Sequence, residues 1–80
     1  MEIIYYTKYG CHLCDEGLSI LRHFPEINVN FIDVEEDVEK FKSYLTRIPV
    51  ISYDNGKKEL GWPFDKEDIR NIVLSFRFQD

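Results

Sequence analysis

The stretch Tyr9-Gly10-Cys11-His12-Leu13-Cys14-Asp15-Glu16 contains both cysteines of this 80-residue chain. It follows an apolar run at residues 2–6, whose β-branched and aromatic side chains are typical of a buried strand. From residue 11 to residue 24, apolar residues recur every three or four positions, which predicts a helix that ends before Pro25. We therefore expect the cysteine pair to lie at the start of a helix that directly follows a strand.

Strand and helix patterns continue to alternate beyond this first unit. Apolar residues at every second position predict a strand near 28–33. Asp33, with Glu36 three positions later, has the pattern of a capping box and predicts a second helix. The buried side of that helix would consist of Val34, Val38, Phe41 and Leu45.

The last part of the chain predicts a hairpin and a final helix. Residues 47–51 form an extended segment, and Asn55-Gly56 is typical of a tight hairpin turn because both residues tolerate positive φ. A returning strand follows at 59–61. Asp65, with a second aspartate three positions later, then caps a last helix.

The predicted order is β-α-β-α-β-β-α in a single domain that spans residues 1–80. The first β-α-β unit requires a right-handed crossover between parallel strands, whereas the last two strands form an antiparallel hairpin. The fold class is therefore α/β, with a mixed four-stranded sheet flanked by helices that can cover both faces.

Composition and charge limit the classes of function. The chain is 44% hydrophobic and 15% aromatic, which is typical of a globular protein, and its net charge is −5. That charge argues against nucleic acid and anionic membrane surfaces as partners, because both require basic patches. No secretory signal and no membrane-spanning run is visible, so we expect a cytoplasmic protein. We also expect a monomer.

Helix geometry gives the two cysteines different environments. Three residues apart in a first helical turn, their sulfurs can lie close enough for a disulfide. Cys11 lies at the positive end of the helix dipole, which favours its thiolate form. Cys14 lies one turn deeper and is expected to stay a thiol. This asymmetry suits thiol–disulfide exchange, in which Cys11 attacks and Cys14 resolves the mixed disulfide.

Two other uses of the cysteines remain open. A structural disulfide is rare in the cytosol. A zinc site could combine Cys11 and Cys14 with His12 or His23, but the second ligand pair of a structural zinc site is missing, so we predict no metal. An iron–sulfur cluster within one chain lacks ligands for the same reason, while a cluster shared across a dimer stays open.

The charged residues next to the cysteine pair each have two possible roles. A protonated His12 would stabilise the Cys11 thiolate; alternatively, it is an exposed imidazole with little effect. Asp15 and Glu16 suit the dipole of the first turn, and one of them could instead assist proton removal from Cys14.

With Ile48-Pro49 before the third strand and the late Gly61-Trp62-Pro63-Phe64-Asp65, the whole chain resembles the glutaredoxin-like branch of the thioredoxin superfamily. The resemblance implies a thioredoxin-like fold. It also implies that Lys8 steadies the thiolate and a glutathione carboxylate, and that Arg47 offers charge to such a carboxylate; a plain surface charge is the other reading of each. Pro49 resembles the family's cis-proline facing the cysteines, and the Ile48 backbone would then pair with a substrate strand.

The chain departs from the family pattern at two places. Glutaredoxins usually have Pro-Tyr between the cysteines, where this chain has His-Leu. They usually have Gly-Gly where the γ-glutamyl end of glutathione lies against backbone, and here that place reads Gly61-Trp62. Trp62 either occupies or reshapes the groove, or it caps the core.

The resulting expectation is a small thiol–disulfide oxidoreductase that acts on mixed disulfides of proteins or glutathione. It needs no bound cofactor, because electrons come from glutathione as co-substrate or from a thioredoxin-reductase-type donor. The partner is a disulfide-containing protein substrate. The alternatives are a redox-inactive adaptor of the same fold and a metal-binding protein.

Overall fold

Four strands and two helices follow one another along the chain in a computed structural model that describes residues 1–78. Their bounds are β1 Glu2–Thr7, α1 His12–Leu21, β2 Asn28–Asp33, β3 Val50–Tyr53, β4 Lys58–Gly61 and α2 Lys66–Arg77. None of the helices within residues 1–78 is long and apolar enough to cross a membrane.

The strands form one mixed sheet in the order β2-β1-β3-β4. β1 pairs with β2 in parallel, and β3 pairs antiparallel with both β1 and β4. This confirms the predicted four-stranded sheet and places β1, which leads into the cysteine pair, at an interior position of the sheet.

One hydrophobic cluster joins the sheet to both helices. Side chains alternate between the two faces of a strand, so Ile3 and Tyr5 of β1 project to the same face. They belong to the same buried cluster as Ile51 of β3. The helices and the segment before α2 contribute Cys14, Leu21, Phe64, Ile69, Ile72 and Val73.

The predicted second helix is wrong: residues 34–47 form a series of turns. The Asp33 carboxylate accepts the amide of Glu35 at 2.8 Å, and the Asp37 carboxylate accepts the amide of Lys40 at 3.1 Å. Such side-chain-to-backbone bonds compete with the helical ladder. Of the expected buried side, Val34 is buried, but Val38 is 52% exposed.

This turn segment lies over the second face of the sheet, where a helix was expected. Tyr6 of β1 projects to that face, and its ring stacks on Tyr44 at 4.1 Å and meets Phe41 at 6.0 Å. The prediction that helices cover both faces is therefore wrong, because aromatic contacts from a non-helical segment replace one of them.

The local signals for the hairpin and the helix ends are largely confirmed. Asp54, Asn55 and Gly56 all have positive φ, and the loop between the paired residues Tyr53 and Lys58 is four residues long. Helix α1 begins at His12, one residue later than predicted, and ends at Leu21, three residues before the expected end. Asp65 caps α2 with a complete capping box.

We predict that Asp65→Ala lowers the free energy of unfolding by about 1 kcal/mol, because it removes the carboxylate that accepts the amide of Asp68 at 3.0 Å. Urea unfolding measures the loss. Lys66→Ala, an exposed change in the same first turn, is the matched control and should leave stability nearly unchanged. Equal stability of both variants would contradict a stabilising cap.

Candidate active site

The two cysteines form a disulfide at the first turn of α1, with Cα atoms 5.2 Å apart. Cys11 is the N-cap of the helix, and its sulfur accepts the backbone amide of Cys14 at 3.1 Å. The expectation that helix geometry brings the pair together is confirmed. Gly10, at φ +77, makes the turn that leads from β1 into the helix.

The two sulfurs differ in their access to solvent. Cys11 is partly exposed, whereas Cys14 is only 2% exposed and belongs to the hydrophobic core. A sulfur at the N-cap lies where unpaired amides and the helix dipole favour negative charge. Cys11 is thus the more accessible of the two sulfurs, and it lies at the end of the helix that favours negative charge.

The side chain of Tyr5 extends from β1 to the first turn of α1. Its buried hydroxyl donates a hydrogen bond of 2.6 Å to the carbonyl oxygen of Cys14. Burial, with a smaller contribution from Asp15, raises the pKa of Tyr5 well above its ordinary value. The phenol therefore stays protonated and remains a donor across the physiological pH range.

Gly17 provides the space in which this contact forms. A Cβ at this position would overlap the Tyr5 hydroxyl and lie 3.0 Å from Cζ of Phe64 and 3.4 Å from Cγ of Pro49. Three side chains from separate parts of the chain therefore converge on one glycine of the cysteine helix.

Pro49 lies in this cluster, beside the helix that carries both cysteines. The Ile48–Pro49 bond is cis, as the resemblance implied, and the Pro49 side chain is fully buried. The Pro49 carbonyl accepts the amide of Trp62 at 3.1 Å, and the Trp62 ring meets Phe64 edge-on at 5.0 Å. The Trp62–Pro63 bond is also cis, which was not predicted from the sequence.

The outer side of the first turn is exposed and of mixed character. Tyr9 is 93% exposed, and Leu13, between the cysteines, is also exposed. His12 lies at the surface with Nε2 3.8 Å from a carboxylate oxygen of Glu16. Lys8 is exposed and makes no hydrogen bond or ion pair within residues 1–78.

Arg47, the other residue expected to meet an anion, is held on the sheet. Its guanidinium donates to Glu59 at 3.0 Å and lies over the ring of Tyr44. The Tyr44 hydroxyl donates to the second oxygen of the same carboxylate at 2.5 Å. Glu59 thereby binds the end of the turn segment to β4, two residues before Pro49. Gly61, at the end of the same strand, pairs with Val50.

Metal-ligating side chains do not converge in the part of the chain that the structure describes. Within residues 1–78, no group of three His, Cys, Asp or Glu side chains is close enough to hold an ion.

Sequence reasoning missed Tyr5, Gly17, Phe64 and Glu59 as parts of the site. One signal was available, because a glycine inside a helical pattern indicates a close approach by another part of the chain. Tyr5 and Glu59 carried no local signal, since each acts through a partner that is distant in sequence.

Comparison with known proteins identifies the family. A model described as "Glutaredoxin-like domain (DUF836)" matches residues 2–74. No curated protein matches the chain.

Two solved structures show the same fold. The Northeast Structural Genomics target protein XcR50 from X. campestris is 27% identical with a TM-score of 0.80, over 91% of this chain and 96% of that one. Thioredoxin 1 from Thermosipho africanus TCF52B is 21% identical with a TM-score of 0.67, over 96% and 94% of the two chains. These likenesses confirm the predicted thioredoxin-like fold.

The contact of Glu59 with Tyr44 and Arg47 predicts a pH-dependent contribution to stability. The Tyr44 hydroxyl, and then the Arg47 guanidinium, lowers the pKa of Glu59 below its ordinary value of 4.5. A lowered carboxyl pKa stabilises the folded state above about pH 4.5, and the contribution is lost as the pH falls through the folded-state value. Because the cluster is exposed, the effect is small.

We therefore expect Glu59→Gln to be less stable than the wild type at pH 7 and to approach it below about pH 4.5, as measured by urea unfolding across pH. Glu39→Gln removes an equal charge from an exposed position of the turn segment and should show no loss at pH 7. A constant difference between wild type and Glu59→Gln at every pH would contradict the prediction.

Proposed function

The chain belongs to the glutaredoxin-like family, and on that premise we propose that it is a small thiol–disulfide oxidoreductase whose redox centre is Cys11 and Cys14. The observation that carries the proposal is the asymmetric pair: a partly exposed N-cap sulfur faces an amide 3.1 Å away and is bonded to a buried sulfur one turn deeper. This arrangement supplies an accessible thiolate and an enclosed resolving thiol.

The proposed reaction is a two-step exchange. The Cys11 thiolate attacks one sulfur of a substrate disulfide, forms a mixed disulfide and releases the other substrate sulfur as a thiolate. The Cys14 thiol then loses its proton to water and attacks the Cys11 sulfur, which closes the intramolecular disulfide and releases the second substrate thiolate. Overall, two electrons pass to the substrate, and a dithiol or two glutathione molecules restore the reduced pair.

Residues around the pair have proposed supporting roles. Lys8 and a protonated His12 would favour the thiolate by their positive charge. The backbone at Ile48, before buried Pro49, would pair with an extended substrate segment. Gly61 and Trp62 would border the same groove, since the Trp62 amide is bonded to the Pro49 carbonyl.

Proposed partners are disulfide-containing proteins, with glutathione or a thioredoxin-reductase-type enzyme as electron donor and with no bound cofactor. Arg47 is proposed to meet a glutathione carboxylate when glutathione is the donor, and it must then leave Glu59. The proposed compartment is the cytoplasm, where dithiol pairs are kept reducible.

A redox titration tests the proposal. We expect the Cys11–Cys14 pair to equilibrate at a potential between roughly −270 and −120 mV. Cys11→Ser should abolish reduction of a protein disulfide, while Cys14→Ser should accumulate the mixed disulfide on Cys11, which mass spectrometry detects. A pair that does not cycle between the two states would instead favour a binding module of the same fold.

The electron donor is identified by a second comparison. A protein disulfide is supplied as substrate, together with either glutathione and glutathione reductase or thioredoxin reductase, each with NADPH, and NADPH consumption is followed. We expect turnover with at least one donor. If glutathione supports turnover and Cys14→Ser keeps that activity, a single-thiol route operates; if the activity is lost, both sulfurs are required.

A further inference from the structure

Tyr5 connects the interior of the sheet to the peptide group that links Cys14 to Asp15. Its side chain is 1% exposed, and its hydroxyl makes a single hydrogen bond within residues 1–78, to the Cys14 carbonyl at 2.6 Å. A buried phenol usually finds some acceptor. The acceptor here belongs to the resolving cysteine itself.

The same peptide group reaches back to the attacking cysteine. The amide of Asp15 donates to the Cys11 carbonyl at 3.1 Å, while the amide of Cys14 donates to the Cys11 sulfur at 3.1 Å. Tyr5, the Cys14–Asp15 peptide and Cys11 thus form a chain of hydrogen bonds. A donor on a peptide carbonyl polarises that peptide and strengthens the bond made by its amide.

Gly17, on the same helix as Cys14, also constrains the position of the phenol. The Tyr5 hydroxyl occupies the space that Gly17 leaves by having no side chain, so a Cβ there would displace it. The contact therefore requires both a tyrosine in the interior strand and a glycine one turn after Cys14. Both residues are buried.

From this arrangement we propose that Tyr5 is the positioning residue of the redox centre: its hydroxyl holds the first turn of α1 so that the Cys14 amide faces the Cys11 sulfur. The inference rests on the proposed function and extends it to a residue that never meets the substrate. In the reduced protein, this amide stabilises the Cys11 thiolate. If the first turn is less well held, a smaller fraction of Cys11 is ionised, and its attack on a disulfide is slower.

Tyr5→Phe tests the proposal, because it removes only the hydroxyl. We expect the pKa of Cys11, measured by alkylation of the reduced protein across a pH series, to rise by about half a unit, which slows alkylation at low pH about threefold. The reduction potential of the pair should become more negative, since the reduced form loses stabilisation. Gly17→Ala, which displaces the same hydroxyl, should shift both measurements in the same direction.

Two controls separate positioning from a general loss of stability. Tyr53→Phe removes a hydroxyl that makes no hydrogen bond within residues 1–78 from a tyrosine packed on the same core, and it should change neither measurement. Ile51→Val removes one buried methyl group from the neighbouring strand; it should lower stability without moving the pKa of Cys11.

The outcomes distinguish this inference from the proposed function. If the wild-type pair cycles while Tyr5→Phe loses stability and keeps the wild-type Cys11 pKa and potential, Tyr5 is only a core residue and the inference is overturned. If Ile51→Val shifts the pKa as much as Tyr5→Phe does, the inference also fails. A wild-type Cys11 that reacts no faster than free cysteine, in a pair that does not cycle, overturns the proposed function as well.

Discussion

The Tyr5 side chain of strand β1 packs against helix α1 at Gly17, and this contact helps to position the helix that carries the disulfide. Because this residue has no Cβ, the Tyr5 hydroxyl, the Phe64 ring and the Pro49 ring can all meet the helix at one point. Interiors packed to crystal density do not absorb an added methyl group without moving their neighbours. At this contact, three elements that are separate in sequence pack together: strand β1, helix α1 and the segment that contains Pro49.

Features that depend on local chemistry could be predicted from the sequence. The strand β1, the start of α1 and the cap of α2 follow from residue spacing and from side chains that bond to the nearest amides. The closeness of Cys11 and Cys14 is also local, since three residues in a first turn bring their sulfurs together. The cis bond before Pro49 required the family resemblance, because nothing in its neighbours indicates it.

Features that depend on competition between local and distant contacts could not be predicted in this way. The segment 34–47 has helical spacing, but acids stand four residues apart, as in Glu35 and Glu39, where like charges disfavour a helix. Its stabilising contacts come instead from the stacking of Tyr44 on Tyr6 and from Glu59, both distant in sequence. For the same reason, the role of Tyr5 could not be predicted, because its hydrogen bond to the Cys14 carbonyl depends on how the strand packs against the helix.

The same contacts bear on how the proposed enzyme would meet glutathione. Arg47 is bound to Glu59 at 3.0 Å, but both side chains are partly exposed, so separating them costs little and does not by itself exclude an anionic ligand. Trp62 is held more firmly, because its amide is bonded to the Pro49 carbonyl and its ring packs on the buried Phe64. Phe64 in turn meets the helix at Gly17, so moving the tryptophan would disturb the packing that places the cysteines. For the proposed enzyme, we therefore expect the use of glutathione to depend on the packing around Trp62 rather than on the charge of Arg47.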